Sequence, residues 1–179
     1  MADKPHKAFI GLSNWERSLD FQPLRAICQG KRVLDLGCHF GLNSFEALQV
    51  GASHVTAVDS DPQCTLTARQ ILCQYKATVI EQDLSIPNAL AQLGLTKQKS
   101  DTVFYLALHQ HLQLRRPSGG DSLLSEKLTL SPQYIVARFG KQYTRYLQEK
   151  TADILWRFML FANFTKLSPL LIFRRRDQN

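Results

Sequence analysis

Short apolar strands alternate with helical segments along most of the chain, and this alternation constrains the fold more than any other sequence feature. The apolar runs predict strands at 33–36, 54–58, 78–80 and 101–108. Helical patterns lie between them, at 43–50, 62–74 and 87–93. Strands that are apolar almost throughout are typical of parallel sheets buried on both faces. The alternation therefore predicts an α/β fold with helices on both faces of a mostly parallel sheet.

The second part of the chain adds three predicted strands, at 133–138, 158–164 and 170–174. Only a short turn through Ser168 and Pro169 separates the last two, which predicts a late antiparallel hairpin. Further helices are predicted at 123–128 and 142–155. A chain of 179 residues with 44% hydrophobic side chains can bury one proper core, so we expect a single domain.

The cysteines and the apolar segments bear on the location of the protein. Cys28, Cys38, Cys64 and Cys73 show no C-x-x-C spacing, so we expect reduced, mostly buried thiols. The N-terminus leads into no apolar run of signal-peptide length, and Arg157 interrupts the most apolar stretch. These features predict a soluble cytoplasmic protein without a membrane segment.

Acidic residues follow three of the predicted strands, where ligands of parallel sheets bind. The segment from Asp35 to Gly41 places an acid at a strand end and glycines in the turn that opens a helix. It lacks the G-x-G-x-x-G triplet of a dinucleotide site, and Asp35 would repel phosphate but attract an ammonium group. Asp59 is positioned to accept hydrogen bonds from a ribose diol, and Asp83 could bind an adenine amino group.

These residues resemble the class I S-adenosylmethionine-dependent methyltransferases, whose acid-x-Gly-x-Gly-x-Gly motif is approximated by residues 33–41. The resemblance implies a Rossmann-like, seven-stranded methyltransferase core at 30–179, preceded by an N-terminal helical extension or lid at 1–29. It also implies S-adenosylmethionine as the cofactor, with its methionine end at the glycine turn. His39 stands where the family has its middle glycine. The implied cofactor-binding residues are Asp35, Gly37, His39, Gly41, Asp59 and Asp83.

Candidate catalytic residues follow the fourth predicted strand. Tyr105, His109 and His111 are expected near the reactive end of the cofactor, and histidine has a pKa suited to a general base. The two histidines could instead form a pocket wall or half of a metal site, and we predict no metal. Cys38 is expected to be a small buried filler, because no activating base stands beside it.

The charge distribution bears on the partners. Residues 101–179 carry 12 Lys and Arg against 6 Asp and Glu, whereas residues 1–100 carry 10 against 9. This surplus suits an anionic partner such as RNA, although it is also ordinary for a soluble protein. Arg174 to Arg176 are expected to form an exposed terminus that could add nonspecific RNA affinity.

Two functions are compatible with the sequence. The resemblance implies methyl transfer to a small-molecule or RNA acceptor. Because the core takes up nearly the whole chain, few residues remain to form a substrate platform, which suits a large acceptor or a partner subunit. The alternative is a non-catalytic Rossmann-like module that binds a nucleoside or serves as an RNA or protein adaptor. The replacement of the middle glycine by His39 favours this second possibility.

Overall fold

The computed structural model describes residues 24–95, 100–106, 108, 111–112, 132–138, 158–163 and 170–175. The helices in these ranges are α1 (Arg25–Cys28), α2 (Leu42–Gln49), α3 (Pro62–Leu72) and α4 (Ala89–Gln92). The strands are β1 (Arg32–Leu36), β2 (His54–Asp59), β3 (Ala77–Glu81), β4 (Thr102–Leu106), β5 (Tyr134–Arg138), β6 (Phe158–Asn163) and β7 (Leu170–Arg175).

The described strands form one sheet in the order β3-β2-β1-β4-β5-β7-β6. Neighbours from β3 to β5 are parallel, whereas β7 is antiparallel to both β5 and β6. The predicted mostly parallel sheet with a late antiparallel hairpin is therefore confirmed. The chain leaves β1 toward β2 on one side and returns to β4 on the other, which creates the crevice where ligands of such sheets bind.

Each face of the sheet packs against its own set of helices. On one face, Val33, Val55 and Phe104 pack with buried residues of α1, α2 and α3. On the other face, Leu34 and Val103 pack with residues that include Ala89 and Leu90 of α4. Successive residues of β1 thus point to opposite faces, and both faces are buried, as the apolar strands predicted.

Local sequence determines where α3 begins. The carboxylate of Asp61 accepts hydrogen bonds from the backbone N–H groups of Gln63 and Cys64, at 2.8 and 3.1 Å. Pro62 occupies the first helical position, where its missing N–H costs no hydrogen bond. The predicted start of this helix is confirmed, and its end lies two residues before the predicted position 74.

Other boundaries differ slightly from the prediction. The fourth strand ends at Leu106 rather than Leu108, and the helix predicted at 87–93 is shortened to α4. Of the predicted extension at 1–29, only residues 24–29 are described. The helices predicted at 123–128 and 142–155 lie outside the described residues. In the described part of the chain, no helix has the length and apolar character needed to cross a membrane.

Candidate functional site

The carboxyl ends of the first four strands meet at one edge of the sheet, here called the carboxyl edge. Leu36, the last residue of β1, pairs with Val58 of β2 and with Tyr105 of β4. Asp59 at the end of β2 pairs with Glu81 at the end of β3. The structure therefore brings the turn after β1, the end of β2 and the segment after β3 to the same edge, as the sequence predicted.

The turn between β1 and α2 contains three residues in the left-handed region. Gly37 has φ 70°, His39 has φ 51° and Gly41 has φ 79°. The N–H groups of Gly37 and Cys38 donate to the carbonyl of Val58, at 2.8 and 3.0 Å, which fixes the turn against β2. His39 thus adopts a conformation that favours glycine, at the position where the related motif has glycine.

The His39→Gly variant is expected to unfold at a higher denaturant concentration than the wild type. Left-handed backbone costs a non-glycine residue about 1–2 kcal/mol, and the greater freedom of glycine in the unfolded chain offsets part of that relief. The His39 ring is exposed and contacts Phe40 at a centroid distance of 3.9 Å, so little packing is lost. We expect a net gain of about 0.5 kcal/mol in urea unfolding. A loss of stability as large as that of His39→Ala would contradict this account.

The side chain of Asp59 connects the turn to the start of α3. Its Oδ2 accepts a hydrogen bond from the N–H of His39 at 2.8 Å, and its Oδ1 accepts one from the N–H of Asp61 at 3.0 Å. Each carboxylate oxygen can accept more than one hydrogen bond, so both retain capacity for a ligand hydroxyl. Asp59 is partly exposed, which keeps that capacity accessible.

Asp35 is fully buried beneath the same turn, on the face of the sheet that packs against α2. The hydroxyl of Ser44 in α2 donates to its Oδ2 at 2.6 Å. Its Oδ1 is buried and has no hydrogen-bond partner within the described residues. The pKa of Asp35 is raised to about 6, chiefly by burial; the hydrogen bond from Ser44 opposes this shift and the charge of Asp59 contributes to it. The Oδ1 atom of Asp35 can therefore still accept a hydrogen bond, and the ionised carboxylate would be stabilised by a nearby cation.

Sequence reasoning did not identify Ser44 as part of the site. Ser44 lies in the first turn of α2 and is fully buried, and its partner Asp35 is nine positions earlier in the chain. A small hydroxyl residue three positions after a turn glycine is a weak indication by itself, because serine is common near helix starts.

The two turn glycines leave space that neighbouring elements fill. A Cβ at Gly37 would lie 2.9 Å from Cδ1 of Leu108, after β4, and a Cβ at Gly41 would lie 3.1 Å from Cβ of Ala68 in α3. We predicted that these glycines let the backbone approach a ligand. The space beside them accommodates side chains of the protein, so internal packing favours glycine at both positions, and an approach of the cofactor to this turn stays a prediction.

Asp83 follows β3 at the carboxyl edge and is half-buried. Its Oδ1 accepts a hydrogen bond from the N–H of Ser85 at 2.8 Å. The adjacent Gln82 donates its N–H to the carbonyl of Asp59, also at 2.8 Å, which holds the segment after β3 against the end of β2. Contact between Asp83 and an adenine stays a prediction.

The three predicted catalytic residues are placed differently from one another. Tyr105 is fully buried in the core on the face that packs α4, so it offers no surface to an acceptor in this structure. His111 is exposed, and its N–H donates to the carbonyl of Leu108 at 3.0 Å. His109 lies outside the described residues. Tyr105 packs in the core of this structure, and a catalytic role for Tyr105 or for either histidine stays a prediction.

The thiols near the turn are inert. Cys38 is only 2% exposed, and burial followed by the charges of Asp35 and Asp59 raises the pKa of its thiol far above the ordinary value. A thiol held neutral in this way is a poor nucleophile, which agrees with the predicted filler role. Cys28 and Cys64 are also buried and free, whereas Cys73 is exposed. Within the described ranges, no group of three or more His, Cys, Asp or Glu side chains could hold a metal ion.

Comparison with known proteins found local sequence similarity to ribosomal protein L11 methyltransferases, and no family model matches the chain. The chain is 40% identical over 52 residues to the ribosomal protein L11 methyltransferase of Laribacter hongkongensis, covering 29% of this chain. It is 46% identical over 50 residues to the enzyme of that name from Xanthomonas oryzae, covering 28% of this chain. The matched segments span only 18% and 16% of the relatives' own length.

Solved structures match the fold over nearly the whole chain. A candidate RNA methyltransferase from Pyrococcus horikoshii has a TM-score of 0.72 at 15% identity, covering 100% of this chain and 92% of that one. Ribosomal protein L11 methylase from Lactobacillus delbrueckii has 0.68 at 16% identity, with 93% and 80% covered. Magnesium protoporphyrin IX methyltransferase from Synechocystis, solved with bound S-adenosylmethionine, has 0.67 at 19% identity, with 97% and 86% covered. The chain thus has the Rossmann-like fold of class I methyltransferases, as the resemblance implied.

Proposed function

We propose that this chain binds S-adenosylmethionine at the carboxyl edge and transfers its methyl group to an acceptor. The observation that carries the proposal is the buried carboxylate of Asp35, whose Oδ1 has no partner among the described residues. It lies beneath the left-handed turn at the carboxyl end of β1, where ligands of this fold class bind. The fold neighbours and the names of the sequence relatives support the same activity.

The residues present suit the charge pattern of this cofactor. An ammonium group can satisfy Asp35, because it supplies both the missing donor and the opposite charge. A pyrophosphate on this turn would meet repulsion from Asp35 instead, which argues against a dinucleotide, whereas Asp59 suits the ribose of either ligand. The cofactor and its methionine end therefore fit this edge better than a nicotinamide dinucleotide does.

The remaining cofactor groups are assigned along the edge. Asp59 would hold the ribose hydroxyls through the acceptor capacity left on its two oxygens. Asp83 would face the adenine amino group. His39 would cover the turn with its exposed ring. Because backbone hydrogen bonds already fix this turn, little further ordering is needed on binding.

The bound cofactor would supply an electrophilic methyl group on a positively charged sulfur. The protein then has to orient an acceptor, exclude water and remove a proton where the acceptor carries one. His111 is exposed beyond β4 and is a candidate for moving that proton, together with His109.

We propose RNA as the acceptor, in a cytoplasmic protein. The sequence relatives are named for a ribosomal protein, and solved neighbours include the 16S rRNA methylase RmtB, so a macromolecular acceptor is plausible. The surplus of basic residues in the second part of the chain suits RNA among these acceptors. Transfer of a radiolabelled methyl group from S-adenosylmethionine to total RNA, with Asp35→Asn as the blank, tests this proposal. Labelling of small molecules or protein alone would contradict it.

A non-catalytic nucleoside-binding module is the second candidate. The side chain of Leu108 packs against Gly37, and the left-handed residue between the two glycines is His39. These side chains leave less space for a ligand beside the turn backbone than three glycines would. Cofactor binding without methylation of RNA, protein or small molecules would favour this module.

The Asp59→Ala variant is expected to bind S-adenosylmethionine more weakly by about 1–3 kcal/mol. The substitution leaves the ribose hydroxyls without their acceptor and also removes the bonds that Asp59 accepts from His39 and Asp61. Calorimetric titration measures the change. Asp61→Asn is the control, because it removes a charge at the same edge while asparagine still caps α3. An unchanged dissociation constant for Asp59→Ala would remove Asp59 from the site.

A further inference from the structure

Basic residues collect at the edge of the sheet opposite the carboxyl edge, here called the amino edge. It is formed by the starts of the parallel strands and, because β7 is antiparallel, by the end of β7. Arg32 and Lys76 are exposed there, and the other cations are partly exposed. The basic residues of the amino edge are Lys31, Arg32, Lys76, Arg174 and Arg175.

Backbone hydrogen bonds fix the backbone positions of most of these residues in a row across the edge. Lys76 accepts from Val55 at 3.0 Å, and Lys31 accepts from Ser53 at 2.8 Å. Arg32 accepts from the N–H of Asp101 at 2.9 Å. Two further backbone bonds complete the row. The N–H of Gln133 donates to the carbonyl of Asp101 at 2.8 Å, and the N–H of Arg175 donates to the carbonyl of Gln133 at 3.0 Å.

The row is long enough to contact several phosphate groups. It runs from β3 to β7, which are five strand spacings apart in the sheet order. At about 4.8 Å per spacing, the row is about 24 Å long. We predicted that Arg174 to Arg176 form an exposed terminus. The β7 strand extends to Arg175, so Arg174 and Arg175 belong to the sheet.

Among the residues that the structure describes, the two edges carry opposite charge. The carboxyl edge carries Asp35, Asp59, Asp61, Glu81 and Asp83, and the cation at the end of β5, Arg138, is buried. Among the described residues of the amino edge, Asp101 is an acid that interrupts the row, and its Oδ2 accepts a hydrogen bond from the N–H of Arg32. Among the described residues, the charges of the amino edge therefore favour contact with a polyanion more than those of the carboxyl edge do.

His54 is a titratable residue at the amino edge that responds to the positive charge there. His54 begins β2 next to Arg32 on β1, and its Nε2 lies 3.2 Å from the hydroxyl of Thr78. Partial burial lowers the pKa of His54, and the positive charge of Arg32 lowers it further. A phosphate group bound at this edge would raise the pKa of His54, because its negative charge favours the protonated imidazole.

Among the described residues, the amino edge shows no exposed large apolar side chain of the kind that a membrane or an apolar protein interface needs. In the described part of the chain, the large hydrophobic side chains that are exposed are Leu66 in α3 and Ile86 after β3, and neither lies at this edge. Charge without apolar surface is the pattern of phosphate-backbone contacts in nucleic-acid binding.

We propose that the amino edge binds the phosphate backbone of RNA, through the row of Lys31, Arg32, Lys76, Arg174 and Arg175. This inference goes beyond methyl transfer, because it assigns an RNA contact to the side of the sheet that does not hold the cofactor. Binding there depends on charge and spacing and not on base sequence.

Fluorescence anisotropy with a labelled oligouridine of about 16 nucleotides tests the proposal without cofactor. Arg32→Gln and Lys76→Gln are each expected to weaken binding roughly three- to tenfold. Each is also expected to reduce the slope of log affinity against log salt by about 0.7. Gln63→Glu is the matched control, because it makes the same change in net charge at the first turn of α3, at the carboxyl edge.

Each outcome of this experiment decides the proposal. An equal loss for Gln63→Glu would show that net charge alone matters and would overturn the assignment, as would equally tight binding of polyglutamate. A rise in the pKa of His54 on RNA binding, followed by NMR, would support it, and no rise would contradict it. Titration of the same variants with S-adenosylmethionine separates this proposal from the cofactor site, since their cofactor affinity is expected to be unchanged.

Discussion

Replacing Asp35 with asparagine is expected to weaken S-adenosylmethionine binding while making the free protein more stable at neutral pH. The variant loses the charged hydrogen bond to the cofactor ammonium, worth about 1.5–3 kcal/mol, so we expect roughly tenfold to hundredfold weaker binding by calorimetry. Asparagine keeps an oxygen that can accept the hydrogen bond from Ser44.

The gain in stability follows from the pKa of Asp35. Its ordinary pKa of 3.8 rises to about 6 in the folded protein, because burial disfavours the charged form. The shift corresponds to about 3 kcal/mol of destabilisation at pH values well above 6. The amide of asparagine also leaves a polar atom buried without a partner, so we expect a net gain of about 1–2 kcal/mol.

The pH dependence distinguishes this cause from a change in packing. The penalty of the ionised carboxylate is fully present above the folded pKa of about 6, decreases as the pH falls, and is absent below the unfolded pKa of 3.8. The stability advantage of Asp35→Asn is therefore expected in urea unfolding at pH 8 and not at acidic pH. Asp101→Asn, which removes the same charge at the amino edge, is expected to leave cofactor affinity unchanged. A variant less stable than the wild type at pH 8 would contradict the account.

Replacing Gly41 with alanine is expected to destabilise the fold by about 2–4 kcal/mol. The residue has φ 79°, which costs an L side chain about 1–2 kcal/mol. The new Cβ would also lie 3.1 Å from Cβ of Ala68 and 3.4 Å from its Cα. The Cβ of Ala68 is bonded directly to the backbone of a packed helix and cannot move aside cheaply, so α2 and α3 have to separate.

Gly94→Ala is the matched control for Gly41→Ala. Gly94 also has positive φ, 66°, but a Cβ there would meet no atom within 4 Å. The Gly94→Ala variant is expected to lose about 1 kcal/mol of unfolding free energy, which is the cost of the left-handed backbone conformation alone. The difference between the two variants in urea unfolding reports the contact between α2 and α3. Equal losses would show that packing against α3 does not require glycine at position 41.

The strands and the acids of the edge could be predicted from sequence because both depend on local patterns. Apolar runs locate the parallel strands, and an acid directly after a strand must lie at the carboxyl edge whatever the packing is. Asp59 and Asp83 follow this rule. Asp61 likewise caps a helix that starts with Pro62, as the local sequence indicates.

The rest of the site depends on how the elements pack, which the sequence pattern does not specify. Tyr105 belongs to a strand that is apolar throughout, so the two-residue period could not assign its side chain to the core. Ser44 reaches Asp35 only because α2 packs on the face of β1 that carries this acid. The reason for Gly37 lies with Leu108, whose contact with the turn joins segments far apart in the chain.

Calorimetric titration of the purified protein with S-adenosylmethionine and S-adenosylhomocysteine, with NADH as the control, tests the central claim most directly. The account predicts binding of the first two and none of NADH, because the acidic carboxyl edge accepts an ammonium and a ribose but repels a pyrophosphate. It also predicts that the affinity for S-adenosylmethionine falls as the pH drops below about 6, where Asp35 becomes protonated. Binding of NADH, or no binding of either methyl-donor ligand, would contradict it.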